Sequence, residues 1–277
     1  MLQNGKNQAM THSSGKVLSF IRRVPWLRWT ARHARRLLSS SGVLVFNEPL
    51  MRLAEFYLRC YYFYDLDRVW GGHAPPPEWF DHRCDLYLWS ELAVPFWVER
   101  GVFSREVMFE GCRVLDICCG DGFYPYHFYS GIASEVDAVD SDPKAIAHAR
   151  KWHSHPKITY LQRDIVTDNF PRAVYDVITW DAAIEHFSPD QIRHILNKCV
   201  DALKSREGGI LCGYTIIARD SIKSHPEHEH EFSSAGELKE LLGEFFPCVG
   251  TIETEYPERH NVYFRASFQL GRLRRFG

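Results

Sequence analysis

At 277 residues, with 45% hydrophobic and 25% charged residues, the chain has room for one large α/β domain and an appendage. No apolar run approaches the roughly 18–20 residues that a membrane-spanning helix needs. The eight cysteines contain no CxxC pair, which speaks against a zinc framework or disulfide scaffold and for a reducing, cytoplasmic setting. The formal net charge of −2 hides an asymmetry: residues 1–47 hold eight basic residues and no acid, so the other 25 face all 35 acids, a balance of −10.

Residues 1–15 are small and polar, the composition of a disordered tail. Residues 16–46 form a basic segment. From Lys16 to Leu38, apolar residues (Val17, Leu18, Phe20, Ile21, Trp26, Leu27, Trp29) mix with arginines at roughly helical spacing, and Pro25 divides them into two short helices. Three readings stay open. The segment is a solvated basic face over a helix packed on the main domain, an amphipathic helix on an anionic membrane surface, or an Arg-rich, acid-free transit peptide. RNA contact through the same residues is also open.

Residues 47–110 read as helical and aromatic, with Phe56, Tyr57, Tyr61, Tyr62, Phe63 and Tyr64, then Trp70, Trp79, Phe80, Tyr87, Trp89, Phe96 and Trp97. Gly71-Gly72 and Pro75-Pro76-Pro77 mark a loop between the two groups. Such a segment is expected to cover a site as a lid, or to pack the outer layer, or both.

From residue 113 the pattern alternates. Strands are expected over 113–117, 136–140, 158–162, 175–180, 208–216, 248–256 and 260–269, and helices over 123–131, 143–153, 189–204 and 234–244. Short strands alternating with such helices predict βαβ units and a mainly parallel sheet, with the last two strands an antiparallel edge pair.

The most informative stretch is Val114-Leu115-Asp116-Ile117-Cys118-Cys119-Gly120-Asp121-Gly122, an apolar strand entering a glycine turn that carries two carboxylates. Strand, glycine turn and helix let a backbone approach a nucleotide closely. A dinucleotide is disfavoured: its pyrophosphate would meet Asp116 and Asp121, and the G-x-G-x-x-G fingerprint fails in both frames, at Cys118 and Phe123 or at Pro125. The acids suit a cationic, phosphate-free nucleoside, and S-adenosylmethionine is one.

Further along stand Val136-Asp137-Ala138-Val139-Asp140, Arg163-Asp164-Ile165, and Tyr175-Asp176-Val177-Ile178 leading to Glu185-His186. Together with the first turn, these resemble the class I S-adenosylmethionine-dependent methyltransferases of small-molecule type. The resemblance covers 113–216 well, extends to about 269, and says little about 1–105. It implies an α/β, Rossmann-like, seven-stranded, mainly parallel sheet with an antiparallel terminal strand over residues 111–277, behind an N-terminal helical extension. It places Asp116, Cys118, Gly120, Gly122, Asp140, Ser141, Asp164, Ile165 and Asp181 around the cofactor: Asp116 near the methionine end, Asp140 on the ribose hydroxyls, Asp164 with the Ile165 amide at the adenine edge. A carboxylate about 4 Å from an ammonium gains roughly 1–4 kcal/mol, depending on screening. The family usually has glycine where Cys118 stands. Cysteine takes positive φ poorly, so Cys118 is expected to keep β-like angles.

For the acceptor chemistry, His186 is the first choice of general base, with Glu185 beside it; capping of the following helix is the plainer role. The run His225-Pro226-Glu227-His228-Glu229-His230-Glu231 is the second candidate: its three imidazoles and three carboxylates could bind a divalent metal, or a histidine could face the substrate. On an extended chain His228 and His230 would face one side, while the plain reading is a polar loop before a helix capped by Ser233. No metal is assigned. Trp180-Asp181-Ala182-Ala183 lacks the Asn/Asp-Pro-Pro-aromatic pattern of base-methylating relatives, and the acidic main domain opposes a polyphosphate partner. A small or lipid-linked acceptor is therefore expected, methylated on oxygen or nitrogen, with peripheral membrane contact through residues 16–38 open. A non-catalytic cofactor-binding module and an RNA-modifying enzyme are the rival readings.

Overall fold

The computed structural model describes residues 47–65, 68, 96–203, 208–218, 225–256 and 259–273. The expected tail 1–15, the basic segment 16–46 and the aromatics Trp70, Trp79, Phe80, Tyr87 and Trp89 lie outside the described residues. The chain divides into two compact units, Met1–Tyr61 and Tyr62–Gly277. The described part of the first unit lies in helix α1 (Asn47–Asp65). Among the described residues, no helix is long and apolar enough to cross a membrane.

The second unit holds helices α2 (Phe96–Arg105), α3 (Pro143–Trp152), α4 (Pro189–Ala202) and α5 (Ala235–Gly243). They surround strands β1 (Arg113–Ile117), β2 (Glu135–Asp140), β3 (Ile158–Gln162), β4 (Val177–Asp181), β5 (Ile210–Ile216), β6 (Cys248–Tyr256) and β7 (Arg259–Ser267). These form one seven-stranded sheet in the order β3-β2-β1-β4-β5-β7-β6. The first five strands pair in parallel, and β7 runs antiparallel to both β5 and β6. This is the Rossmann-like sheet expected from the sequence.

One refinement concerns the edge. The last strand lies inside the sheet, between β5 and β6, and β6 forms the border. The side chains explain why: Val262, Tyr263, Phe264 and Ala266 of β7 are buried, whereas β6 is partly exposed and carries Glu253 and Glu255, charges that protect an open edge. Strands β4 and β5 are buried along their whole length because helices cover both faces. One core layer joins Leu115, Ile178, Trp180, Leu196 and Leu238 to α4 and α5. On the other face Phe103 and Val107 pack with Phe123, Tyr129, Tyr214 and Tyr263.

Local chemistry sets the helix starts. Asp142 accepts the Lys144 amide at 2.7 Å ahead of Pro143, and Ser188 forms a reciprocal capping box with Gln191 ahead of Pro189. The α5 cap is Ser234, one residue later than expected. Ser233 instead donates its amide (2.7 Å) and its hydroxyl (2.6 Å) to Glu237, so the two serines divide the capping work. The helix expected over 123–131 is present over 123–129, and its Pro125–Tyr129 portion is π-helical, closed by Ser130 N–H to Pro125 O at 3.0 Å. Wide turns of this kind recur at functional sites.

Candidate active site

The chain runs from β1 through β2 to β3 and then returns across the sheet to β4, which neighbours β1. Open α/β sheets bind ligands at such a reversal, outside the carboxyl ends of the strands. Here those ends carry the only two non-glycine residues with positive φ among the described residues, Cys118 (φ 60°) after β1 and Ala182 (φ 49°) after β4. Left-handed backbone costs a residue with a Cβ about 1–2 kcal/mol, and such strain collects at functional sites.

Cys118 therefore departs from the β-like angles expected of it. The backbone bonds of its two successors are the cause. Cys119 N–H donates to Val139 O at 2.9 Å and Gly120 N–H to Asp140 Oδ2 at 2.9 Å, so the chain must turn sharply at 118 to lay its amides along the end of β2. Gly120 and Gly122 also have positive φ. A Cβ on Gly122 would lie 2.6 Å from the Tyr160 ring, so the protein's own packing demands glycine there.

Asp116 faces Thr179 in the β1–β4 register, is 3% exposed, and accepts a short hydrogen bond from the Thr179 hydroxyl. Burial pushes its carboxyl up to about 8. The Thr179 bond opposes that rise, the charges of Asp181 and Asp140 add to it, and Arg100 opposes it. Asp140 ends β2 half-buried and spans two backbones, taking Gly120 N–H on Oδ2 and Asp142 N–H on Oδ1, each at 2.9 Å. Burial raises its pKa despite these bonds. Ser141 beside it is exposed, and its carbonyl accepts from Gln162 at 3.3 Å. Asp164 is exposed after β3, with Oδ1 accepting Val166 N–H at 2.8 Å, while Ile165 is buried and its carbonyl takes Lys198 Nζ.

Sequence reasoning missed Arg100. It stands on α2, ahead of every motif, and nothing around it in the sequence marks it. Its guanidinium is buried between the rings of Trp97, Tyr124 and Tyr214, at 4.8, 5.3 and 4.6 Å from their centroids. Arg100 Nε donates to Asp181 Oδ2 at 2.8 Å. Burial works to lower the Arg100 pKa, but the charge and hydrogen bond of Asp181 together with Tyr124 and Tyr214 outweigh it, and the pKa ends well above its ordinary value. Asp181 Oδ1 is buried and has no hydrogen-bond partner among the described residues. Such an atom calls for a donor, from ordered water or a ligand.

On the acceptor side the two histidine candidates come together. Glu185 is fully buried and accepts the Thr215 hydroxyl at 2.8 Å, while its carbonyl takes the amides of Glu229 (2.8 Å) and His230 (3.0 Å). His186 is half-buried, with Nδ1 3.3 Å from Glu227 O and its ring edge-to-face on His228 at 4.9 Å. His228 and His230 do not share a face, because a turn closed by His228 N–H to His225 O (3.2 Å) replaces the extended chain. His228 is 1% exposed, whereas His230 turns outward toward Glu237 at 3.3 Å. Among the described residues, no group of three acidic, histidine or cysteine side chains is placed to hold a metal ion.

Residues 114–207 match the family model described as a methyltransferase domain. That stretch is thus similar to a methyltransferase domain, and the relatives it matches include S-adenosylmethionine-dependent enzymes. The chain is 26% identical over 165 residues to the mitochondrial ubiquinone biosynthesis O-methyltransferase of Schizosaccharomyces pombe, covering 57% of this chain and 56% of that protein. It is 28% identical over 186 residues to a probable S-adenosylmethionine-dependent methyltransferase of Mycobacterium tuberculosis, covering 62% and 65%. The matched region thus spans 56–65% of these relatives' own length. The fold is shared with the N-methyltransferase NodS from Bradyrhizobium japonicum in complex with S-adenosylhomocysteine, at a TM-score of 0.51 and 18% identity, over 62% of this chain and 87% of that one. The family's cofactor is S-adenosylmethionine. The acidic lining of Asp116, Asp140 and Asp181, with an unpartnered carboxylate oxygen, fits that cation.

Proposed function

We propose that the chain transfers the methyl group of S-adenosylmethionine to an oxygen or nitrogen atom of a small or lipid-linked metabolite. One observation carries the reading: a buried carboxyl raised to about 8, in the company of Asp181 and Asp140, at the reversal point of the sheet. Arg100 already pairs with Asp181, so the group left without a cation is Asp116, which burial keeps protonated. Asp116 would ionise against the ammonium of a bound cofactor, and Asp181 Oδ1 would accept a hydrogen bond from it.

The cofactor supplies an electrophilic methyl on a sulfonium. The chain's own residues align and deprotonate the acceptor. Asp140 uses one lone pair on each oxygen for a backbone amide and keeps others for the ribose hydroxyls. Asp164 and Ile165 meet the adenine edge. Alignment of acceptor and methyl supplies roughly 7–11 kcal/mol of the barrier. His186, half-buried at the end of β4, takes the proton of a hydroxyl acceptor. Similarity to an O-methyltransferase supports oxygen as the atom attacked. The −10 charge balance outside residues 1–47 supports a partner other than nucleic acid. The basic start of the chain suits an anionic membrane surface where lipid-linked acceptors reside.

Calorimetry with S-adenosylmethionine, S-adenosylhomocysteine and a nicotinamide dinucleotide tests the cofactor, and label from the tritiated methyl donor in fractionated cell extract tests the acceptor. The first two ligands should bind, the dinucleotide should not, and label should enter the small-molecule or lipid fraction. Label entering RNA overturns the acceptor class. Binding without transfer to any fraction makes the chain a cofactor-binding module. Dinucleotide binding in place of the sulfonium removes the whole reading.

A further inference from the structure

The geometry points to His228, held by Glu231, as the positioning residue that sets the ring orientation and tautomer of His186, an inference that rests on the proposed role of His186. The loop 225–231 is fastened to the turn that carries His186. Glu229 and His230 amides converge on the Glu185 carbonyl at 2.8 and 3.0 Å, and the Glu227 carbonyl lies 3.3 Å from His186 Nδ1. A carbonyl oxygen only accepts, so Nδ1 carries the proton and Nε2 keeps the lone pair that a base needs.

Behind His186 stands a second imidazole with its own carboxylate. His228 Nδ1 lies 2.5 Å from Glu231 Oε1, with side chains 0% and 4% exposed. An ionised carboxylate only accepts, so this bond places the His228 proton on Nδ1 and fixes the plane of its ring. That ring meets His186 edge-to-face at 83°, with centroids 4.9 Å apart, and His225 closes the other side at 5.4 Å. The chain is therefore carboxylate, buried imidazole, half-buried imidazole, with only the last open to an acceptor. A carboxylate orienting an imidazole is the support that activated bases generally receive.

Burial of a histidine–glutamate pair is weak evidence for stability, because apolar residues of similar volume often do as well. Its value here is directional. The Glu231 hydrogen bond fixes one ring, the edge-to-face contact passes that plane to the next, and the Glu227 carbonyl selects the nitrogen. Three residues of one loop thus set a side chain that belongs to another.

The test uses the full chain labelled with 15N-histidine, with His186 signals assigned against His186→Ala. Wild-type His186 should show two well-separated ring nitrogens, the pattern of one tautomer with Nδ1 protonated. In Glu231→Ala those two shifts should converge as the tautomers mix, and Glu231→Gln, which keeps an accepting oxygen, should restore the separation. Should Glu231→Ala fail to fold, His228→Gln, which keeps a donor in the slot but no ring, reads the same contact. On any acceptor the wild type turns over, Glu231→Ala should lower kcat at least tenfold with KM within twofold, and Glu231→Gln should recover most of it. His186 signals unmoved in the folded variants overturn the proposal. The spectra need neither cofactor nor acceptor, so absence of methyl transfer sinks the proposed function alone, and unmoved spectra sink this inference alone.

Discussion

Arg100 and Asp181, 81 residues apart in sequence, meet inside the crevice with Nε 2.8 Å from Oδ2, tying the helix before β1 to the end of β4. Their side chains are 5% and 7% exposed. Removing one partner strands the other charge away from water, which costs about 3–5 kcal/mol. Arg100→Leu should lower unfolding stability by that order in a urea titration. Adding Asp181→Asn should recover more than half of the loss, because no bare charge then remains. A single variant as stable as the wild type would show that the pair is not buried as described.

Asp140 holds the ends of β1 and β2 together through the amides of Gly120 and Asp142, and in the proposed function it also holds the ribose of the cofactor. Asp140→Ala should weaken S-adenosylmethionine binding at least tenfold, about 1.4 kcal/mol. Losing two amide acceptors also destabilises the loop by about 1–3 kcal/mol. Asp140→Asn separates these effects, since its one carbonyl oxygen keeps part of the loop bonding while the ribose loses the carboxylate. Calorimetry showing unchanged affinity in both variants removes the ribose from this position.

The sheet was legible because hydrophobic period and turn chemistry agree along residues 113–267: β1, β3 and β6 fall at their expected bounds, and Ser188 with Gln191 marks its helix start. The acids of the crevice were legible because they end strands. Arg100 was not, since a buried ion pair between distant elements leaves no local pattern, and its helix reads as one more aromatic segment. The meeting of His186 with His228 was equally hidden. It depends on the β5–α5 loop folding back onto the β4 turn through Glu185, and no periodicity encodes that. Cys118 shows the opposite failure, where a sound propensity argument lost to tertiary demand: two amide bonds to the end of β2 outweigh the strain of one residue.

That strain can be measured. Cys118 sits at φ 60°, where a side chain costs about 1–2 kcal/mol and glycine costs little. Glycine also gives the unfolded chain more freedom, which offsets up to about 1 kcal/mol. Cys118→Gly should therefore leave the protein equally stable or raise its stability by about 1 kcal/mol, and Cys118→Val should lower it by more than 1 kcal/mol. Thermal unfolding of the three proteins gives the order. Valine matching glycine would mean that residue 118 keeps ordinary strand angles.

Asp116 ties stability and binding to pH in opposite directions. Its carboxyl titrates near 8 in the folded chain, chiefly through burial, against 3.8 for a free aspartate. The folded state thus holds a proton that the unfolded state has lost, and stability falls as pH rises between about 4 and 8, by up to about 1.4 kcal/mol per pH unit. Asp116→Asn should flatten that slope in urea titrations. Cofactor binding runs the other way. A cation in the crevice favours the ionised form, so binding near pH 7 expels the proton and affinity climbs with pH between about 6 and 7.5. Calorimetry in two buffers of unlike ionisation heat should show up to one proton released in the wild type and markedly fewer in Asp116→Asn. Proton uptake, or release unaltered by the substitution, would show that the ammonium does not sit against this carboxylate.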